Sequence, residues 1–319
     1  MMEGVLNMVQ DQVNAKVSRR GFLQATTALS AAGGLSSVSF GQTCPAKEGT
    51  VRDRIWIFAN PVNADHNIVQ KRSVMSPFEA AVYMGVPNLI MVNQYPGQGE
   101  EQTFKAWESP YEQYAYPLKV LNRVVWSIVG CGGISREKER QEILAMAQRT
   151  PNITGVFMDD FFIDDTPGKI ASLTLDQVRD VQKRLRTPEK KLDLYVTLYT
   201  KQLIPGVRDY LDLIDVVTLW TWDTSDIADL ETNLKKLEQL APKARKLLGC
   251  YTAALNSKGT PAWTAMPVPT MQHQCETGLK WLREGRIDGI IIYGTAMDLG
   301  WDSVEWAREW IRKVGDTKL

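Results

Sequence analysis

The chain of 319 residues carries 37 Lys and Arg against 37 Asp and Glu, a formal net charge of +0. That balance offers no basic face for nucleic acid, and 44% hydrophobic with 23% charged residues excludes a disordered or collagen-like chain. Two histidines, and four cysteines at spacings that match no zinc pattern, argue against a histidine-rich metal centre.

The chain opens on a segment unlike the rest. Ser18-Arg19-Arg20-Gly21-Phe22-Leu23-Gln24 precedes a weakly apolar run rich in Ala, Thr, Ser and Gly, from Ala25 to Val38. A charged start, a short apolar stretch and small residues before a cleavage point are the parts of a signal peptide. The run resembles the twin-arginine export signal, with Gln24 where that family often has Lys. Residues 1–43 are therefore expected to be a cleaved signal and residues 44–319 the mature domain, periplasmic or secreted. A membrane span needs about 20 strongly apolar residues; this run is shorter and full of Ser and Gly, so no stable anchor is expected.

From Arg54 onward, short apolar runs alternate with amphipathic segments. The runs are Arg54 to Asn60, Asn88 to Tyr95, Arg123 to Gly130, Ile153 to Phe161, Leu192 to Thr200, Ile214 to Trp222, Lys246 to Thr252 and Gly289 to Gly294. They are continuous rather than alternating in polarity, as parallel strands buried on both faces should be. Between them, Ser76-Pro77-Phe78-Glu79, Ser109-Pro110-Tyr111-Glu112 and Thr174-Leu175-Asp176-Gln177 read as capping boxes. Leu230, Leu234, Leu237 and Leu240 repeat on one face, as do Cys275, Leu279 and Leu282 before Gly285. Asp302 reads as the cap of a last helix. Eight strands alternating with about eight helices predict a single-domain (β/α)8 TIM barrel. The first strand ends Phe58-Ala59-Asn60-Pro61 without the glycine-rich turn of a doubly wound sheet.

Active sites of such barrels form at the C-terminal strand ends. This rule selects Asn60, with Asp65 and His66 in the next loop; Asn93, Gln94 and Tyr95; Asp159 and Asp160; Tyr199; Trp220, Trp222 and Asp223; Tyr251; and Tyr293 and Asp298. The sharpest feature is Gly155-Val156-Phe157-Met158-Asp159-Asp160, two adjacent carboxylates after an uncharged run. Successive strand residues point to opposite sides, so one Asp is expected in the mouth and the other toward the helix layer or the following loop. Asp223 lies across the mouth but also opens Thr224-Ser225-Asp226, where it reads equally as a helix cap. His273 sits early in the helix after the seventh strand. With 10 Trp and 10 Tyr, rings such as Trp220, Trp222 and Trp263 are available to pack on the C–H faces of sugars.

The stretch Gly155 to Asp159 resembles the fourth-strand motif of barrel glycosidases of the endo-α-galactosaminidase-like group, where a Gly-Val-Phe-Leu-Asp run ends in a catalytic Asp. The resemblance implies that Asp159 is catalytic; Asp160 stands where those proteins often carry Asn. The resulting expectation is an exported glycoside hydrolase with a carbohydrate substrate and no cofactor or metal. Asp159 is its nucleophile or base with Asp160 as understudy, and Asp223 is the general acid. Asn60, Gln94, Tyr199, Trp220, Trp222, Tyr251 and Asp298 bind substrate. A non-catalytic carbohydrate-binding barrel and a carboxylate-metal hydrolase or lyase on the same fold remain open at this point.

Overall fold

Every one of the eight apolar runs becomes a strand of one parallel sheet in the computed structural model, which describes residues 49–95, 104–163, 168–254, 263–294 and 297–319. They are β1 (Ile55–Ala59), β2 (Asn88–Met91), β3 (Arg123–Val129), β4 (Ile153–Met158), β5 (Asp193–Tyr199), β6 (Val216–Trp220), β7 (Arg245–Cys250) and β10 (Gly289–Tyr293). A two-residue hairpin, β8 (Ala253–Ala254) with β9 (Thr264–Ala265), rises from the end of β7. The order β1-β10-β7-β6-β5-β4-β3-β2 closes on itself, giving the (β/α)8 barrel. All residues of β1, β2, β6 and β10 are buried, because helices cover the outer face while side chains fill the inner one. The expected signal at residues 1–43 lies outside the described residues, and no described helix is long and apolar enough to cross a membrane.

The helices are α1 (His66–Val69), α2 (Pro77–Met84), α3 (Glu112–Ala115), α4 (Glu137–Arg149), α5 (Leu175–Arg184), α6 (Arg208–Leu211), α7 (Leu230–Leu240), α8 (Val268–Arg283) and α9 (Asp302–Val314). Two expected capping boxes form. Ser76 accepts from the Glu79 N–H and Glu79 from the Ser76 N–H; Thr174 and Gln177 do the same for α5. Each such cap is worth about 1 kcal/mol. The third box does not form. Glu112 turns outward to Arg149 at 2.5 Å, and α3 is a single turn with no side-chain cap. Asp302 is the first residue of α9 rather than its cap, which is Trp301, and Glu305 takes the Tyr83 hydroxyl instead of folding back.

The N-terminal end of the barrel is plugged. Arg123 stacks over Trp56 at 4.4 Å, and Tyr195 meets the same indole edge-on at 6.1 Å. Above this layer, Phe58 packs against Phe157 at 5.9 Å and against Trp220 at 5.3 Å. Burying each of these large side chains contributes about 1.5–3 kcal/mol. Above the filled lower layers, open space lies toward the C-terminal strand ends.

Candidate functional site

That space is a small cavity of about 70 Å³, below the roughly 300–1,000 Å³ of drug-sized ligand pockets. Its floor is the Trp220 indole, buried and fixed by donating to the Thr218 hydroxyl at 2.9 Å. A glycine across the β6–β7 boundary makes this placement available: a Cβ on Gly249 would stand 2.1 Å from the Trp220 ring. Tyr251 and Phe58 flank the indole at 4.9 and 5.3 Å between ring centres.

The acids stand beside this floor. β4 ends at Met158, and Asp159 is 5% exposed with Oδ1 accepting the Thr197 hydroxyl at 2.7 Å. Asp160 has φ +43°, a left-handed conformation that Asp tolerates better than most residues. Its Oδ1 accepts the Tyr199 hydroxyl at 2.6 Å and its Oδ2 the Gly132 N–H at 2.7 Å. Gly132 and Gly133 both have positive φ, and a Cβ on Gly133 would press to 2.8 Å from the Asp160 carbonyl. The alternation rule predicts that only one of the two acids enters the mouth. Both line the cavity, because alternation holds within a strand and Asp160 lies in the turn beyond it.

Burial, followed by the neighbouring Asp160 charge, pushes the Asp159 carboxyl well above the usual range, with the Thr197 hydrogen bond opposing. Burial raises the Tyr199 and Tyr251 hydroxyls well above their ordinary value, so both remain protonated donors. The Cys131 thiol is also raised, by burial and by the two carboxylates. Donor atoms of Cys131, Asp159 and Asp160 lie within 4.8 Å of one another, and this is the group of described residues that could hold a metal ion. A cation there would have to displace the protons that burial favours on Cys131 and Asp159.

A third carboxylate, Asp65, lines the same cavity. It is 3% exposed and accepts the Tyr293 hydroxyl at 2.7 Å. Sequence reasoning placed it in the loop after the first strand without assigning it a role. The signal available was an acid five residues beyond Asn60 at the rim-forming end of β1. Ile68, Thr197 and Trp263 complete the walls.

Of the residues selected from sequence, Asn60, Asp159, Asp160, Tyr199, Trp220, Trp222 and Tyr251 come together here. Asn60 Oδ1 is buried with no hydrogen-bond partner. Three others are elsewhere. Asp223 caps the turn before α7, accepting from the Ser225 N–H at 3.0 Å and its hydroxyl at 2.7 Å. Gln94 donates to the Ala64 carbonyl at 3.1 Å. Asp298 clamps the strand-to-helix loop through the Ser73 hydroxyl and the Val74 and Met75 N–H groups at 2.6, 2.7 and 3.2 Å. His273 is exposed on α8.

No family model matches the chain, and no curated protein does. Solved structures with a similar fold include the spore cortex-lytic enzyme SleL of Bacillus megaterium, 13% identical with a TM-score of 0.52 over 86% of this chain and 76% of that one. The xylanase-A-amylase inhibitor protein XAIP-III is 11% identical with a TM-score of 0.50, covering 82% and 98%. A glycoside hydrolase family 18 N-acetylglucosaminidase from Paenibacillus barengoltzii is 10% identical with a TM-score of 0.49, covering 80% and 99%. At these identities the first two likenesses support the barrel and nothing finer.

Proposed function

We propose that the chain is an exported glycoside hydrolase in which Asp159 is the general acid and Asp160 the carboxylate that attacks or activates water. One observation carries this reading: a buried carboxyl, whose burial favours its protonated form, stands beside a second carboxyl held by two donors, next to the aromatic floor of the cavity. Glycosidic hydrolysis needs one protonated and one ionised acid. Asp223, expected from sequence to be the acid, is engaged as a helix cap, and the proton-retaining role passes to Asp159. Asp65 places a third carboxyl at a cavity whose transition state would be oxocarbenium-like. Trp220, Trp222 and Tyr251 offer faces to sugar C–H groups, and the unsatisfied Asn60 Oδ1 suits a sugar hydroxyl. One carboxylate oxygen of Asp159 and one of Asp160 lie within 4.8 Å of each other. The fourth-strand resemblance to barrel glycosidases and the twin-arginine-like leader support the same reading.

The test compares wild type with Asp159→Asn and Asp160→Asn on a panel of aryl glycosides and neutral oligosaccharides. Turnover by wild type and its loss in both variants is the expected result. Equal turnover by all three would remove the assignment.

A further inference from the structure

Cys131 opens the turn after β3 and is half-buried, unlike Cys250 of β7 and Cys275 of α8, which are fully buried. Backbone bonds fix its place. The Cys131 N–H donates to the Asn93 carbonyl at 2.9 Å, and the Gly132 N–H donates to Asp160 Oδ2 at 2.7 Å. Gly130 lets the end of β3 come this close to the end of β2: a Cβ there would stand 2.3 Å from the Asn93 carbonyl oxygen. Cys131 thereby lines the same cavity as both acids.

One donor atom each from Cys131, Asp159 and Asp160 lies within 4.8 Å of the other two. A zinc-type cation takes thiolate sulfur at about 2.3 Å and carboxylate oxygen at about 2.0–2.2 Å, which puts tetrahedral donors roughly 3.6 Å apart. Closing this trio on an ion therefore asks for side-chain shifts of about an ångström. The two carboxylates already accept from Thr197, Tyr199 and Gly132, and outer bonds of this kind orient ligating carboxylates.

A separate observation points into the same space. Asn60, beyond the end of β1, is 6% exposed and lines the cavity, and its Oδ1 has no hydrogen-bond partner. A buried amide oxygen left unpaired is costly, and a cation satisfies it as a donor would. No Lys, Arg or His is among the described residues that line the cavity, so no side chain there supplies positive charge to its acids. The space of about 70 Å³ suits an ion with one or two waters, each water's share of the liquid being about 30 Å³.

We propose that Cys131, Asp159, Asp160 and Asn60 form a binding site for a divalent cation of the zinc type, through one thiolate sulfur, two carboxylate oxygens and one amide oxygen. Calcium and magnesium take oxygen ligands and gain nothing from the sulfur. Binding releases the thiol proton and the Asp159 proton to solvent. The site itself stands whether or not the chain hydrolyses glycosides. Its consequence rests on the glycosidase reading: the cation takes both acids and the Asn60 oxygen at once, so it blocks turnover and acts as an inhibitor rather than a cofactor.

The experiment uses the full chain without a histidine tag, stripped with a chelator and dialysed against Zn²⁺ or Co²⁺. Wild type should retain one Zn²⁺ per chain, and X-ray absorption at the zinc edge should show one sulfur among oxygen neighbours. No retained metal, an all-oxygen shell or a shell with two sulfurs would overturn the site. Co²⁺ should give a near-ultraviolet sulfur-to-metal band that Cys131→Ser lacks; the same band in that variant would overturn it by moving the ion to another cysteine. Asn60→Ala should keep the band and bind Zn²⁺ at least about tenfold more weakly, whereas equal affinity would remove Asn60 from the site. None of these readings needs turnover. On any glycoside that the metal-free chain cleaves, activity should fall in step with Zn²⁺ occupancy, and full turnover by the loaded chain would overturn the inhibition. Absence of cleavage by the metal-free chain on every glycoside would instead count against the glycosidase reading.

Discussion

The Tyr199 hydroxyl donates to Asp160 Oδ1 at 2.6 Å, and this bond joins the end of β5 to the turn beyond β4. Tyr199 thereby fixes the carboxylate assigned to attack. Tyr199→Phe keeps the ring that packs on Trp222 and removes the hydroxyl, which also meets the Tyr251 hydroxyl. Its kcat is expected to fall, with little change in thermal stability, because losing one hydrogen bond in a folded site costs about 1 kcal/mol. An unchanged kcat would show that Asp160 needs no such support.

Asp159→Asn and Asp160→Asn should each lower kcat by about 10²–10⁴-fold, the usual contribution of a positioned acid or base. If Asp160 is the nucleophile, external azide should partly rescue an Asp160→Ala variant and yield a glycosyl azide. Asp159→Ala should respond to leaving group instead, losing least on aryl glycosides that need no proton. The anomeric configuration of any glycosyl azide, read by NMR, separates the two roles: inverted relative to substrate for Asp160→Ala, retained for Asp159→Ala.

The raised Asp159 carboxyl gives stability a definite pH dependence. The native state holds this proton where the unfolded chain, with an ordinary value of 3.8, has released it. The associated stability is complete below that ordinary value and is lost as pH rises through the raised one. Wild type should therefore show a Tm that falls across this window. Asp159→Asn, which carries no charge to bury, should lose that component of the slope. Parallel Tm profiles for the two proteins would contradict the burial argument.

Thr197→Val tests the same group from the other direction. The Thr197 hydroxyl is the donor that opposes the upward shift. Removing it should raise the Asp159 carboxyl further and move the alkaline limb of kcat/KM to higher pH. A limb that stays in place would mean that another group sets it.

Asp223→Ala separates cap from catalyst. Loss of an N-cap carboxylate costs about 0.5–2 kcal/mol, so Tm should drop while kcat on a small aryl glycoside stays at the wild-type level. A kcat loss comparable with that of Asp159→Asn would return Asp223 to the reaction.

The barrel was legible because its signal is spread over the chain: eight uncharged runs, each followed by a helical period, agree on one architecture. Site residues were legible where they stand at strand ends, as Asn60, Asp159, Trp220 and Tyr251 do. The misplacements all lie beyond a strand, where backbone direction is set by turns rather than by period. Asp160 enters the mouth through a left-handed φ that no periodicity announces. Asp298 is drawn outward by three donors in a loop more than 200 positions away in sequence. Asp223 carries the local signature of a cap, and local bonding prevailed over its position across the mouth. Asp65 was selected but given no role, because its hydrogen-bond partner, Tyr293, lies 228 positions away in sequence.

Gly249 has a consequence for how the protein can change. Trp220 lies where any side chain at Gly249 would be, 2.1 Å from the ring for a bare Cβ. Gly249→Ala therefore tilts the indole upward into the space above it, and overpacking of this kind costs about 1–3 kcal/mol. Depth of the chamber and tolerance of β7 to mutation are thus one variable. A lineage that trades this glycine for a larger residue gains a shallower, differently shaped chamber in the same step, without altering a single acid.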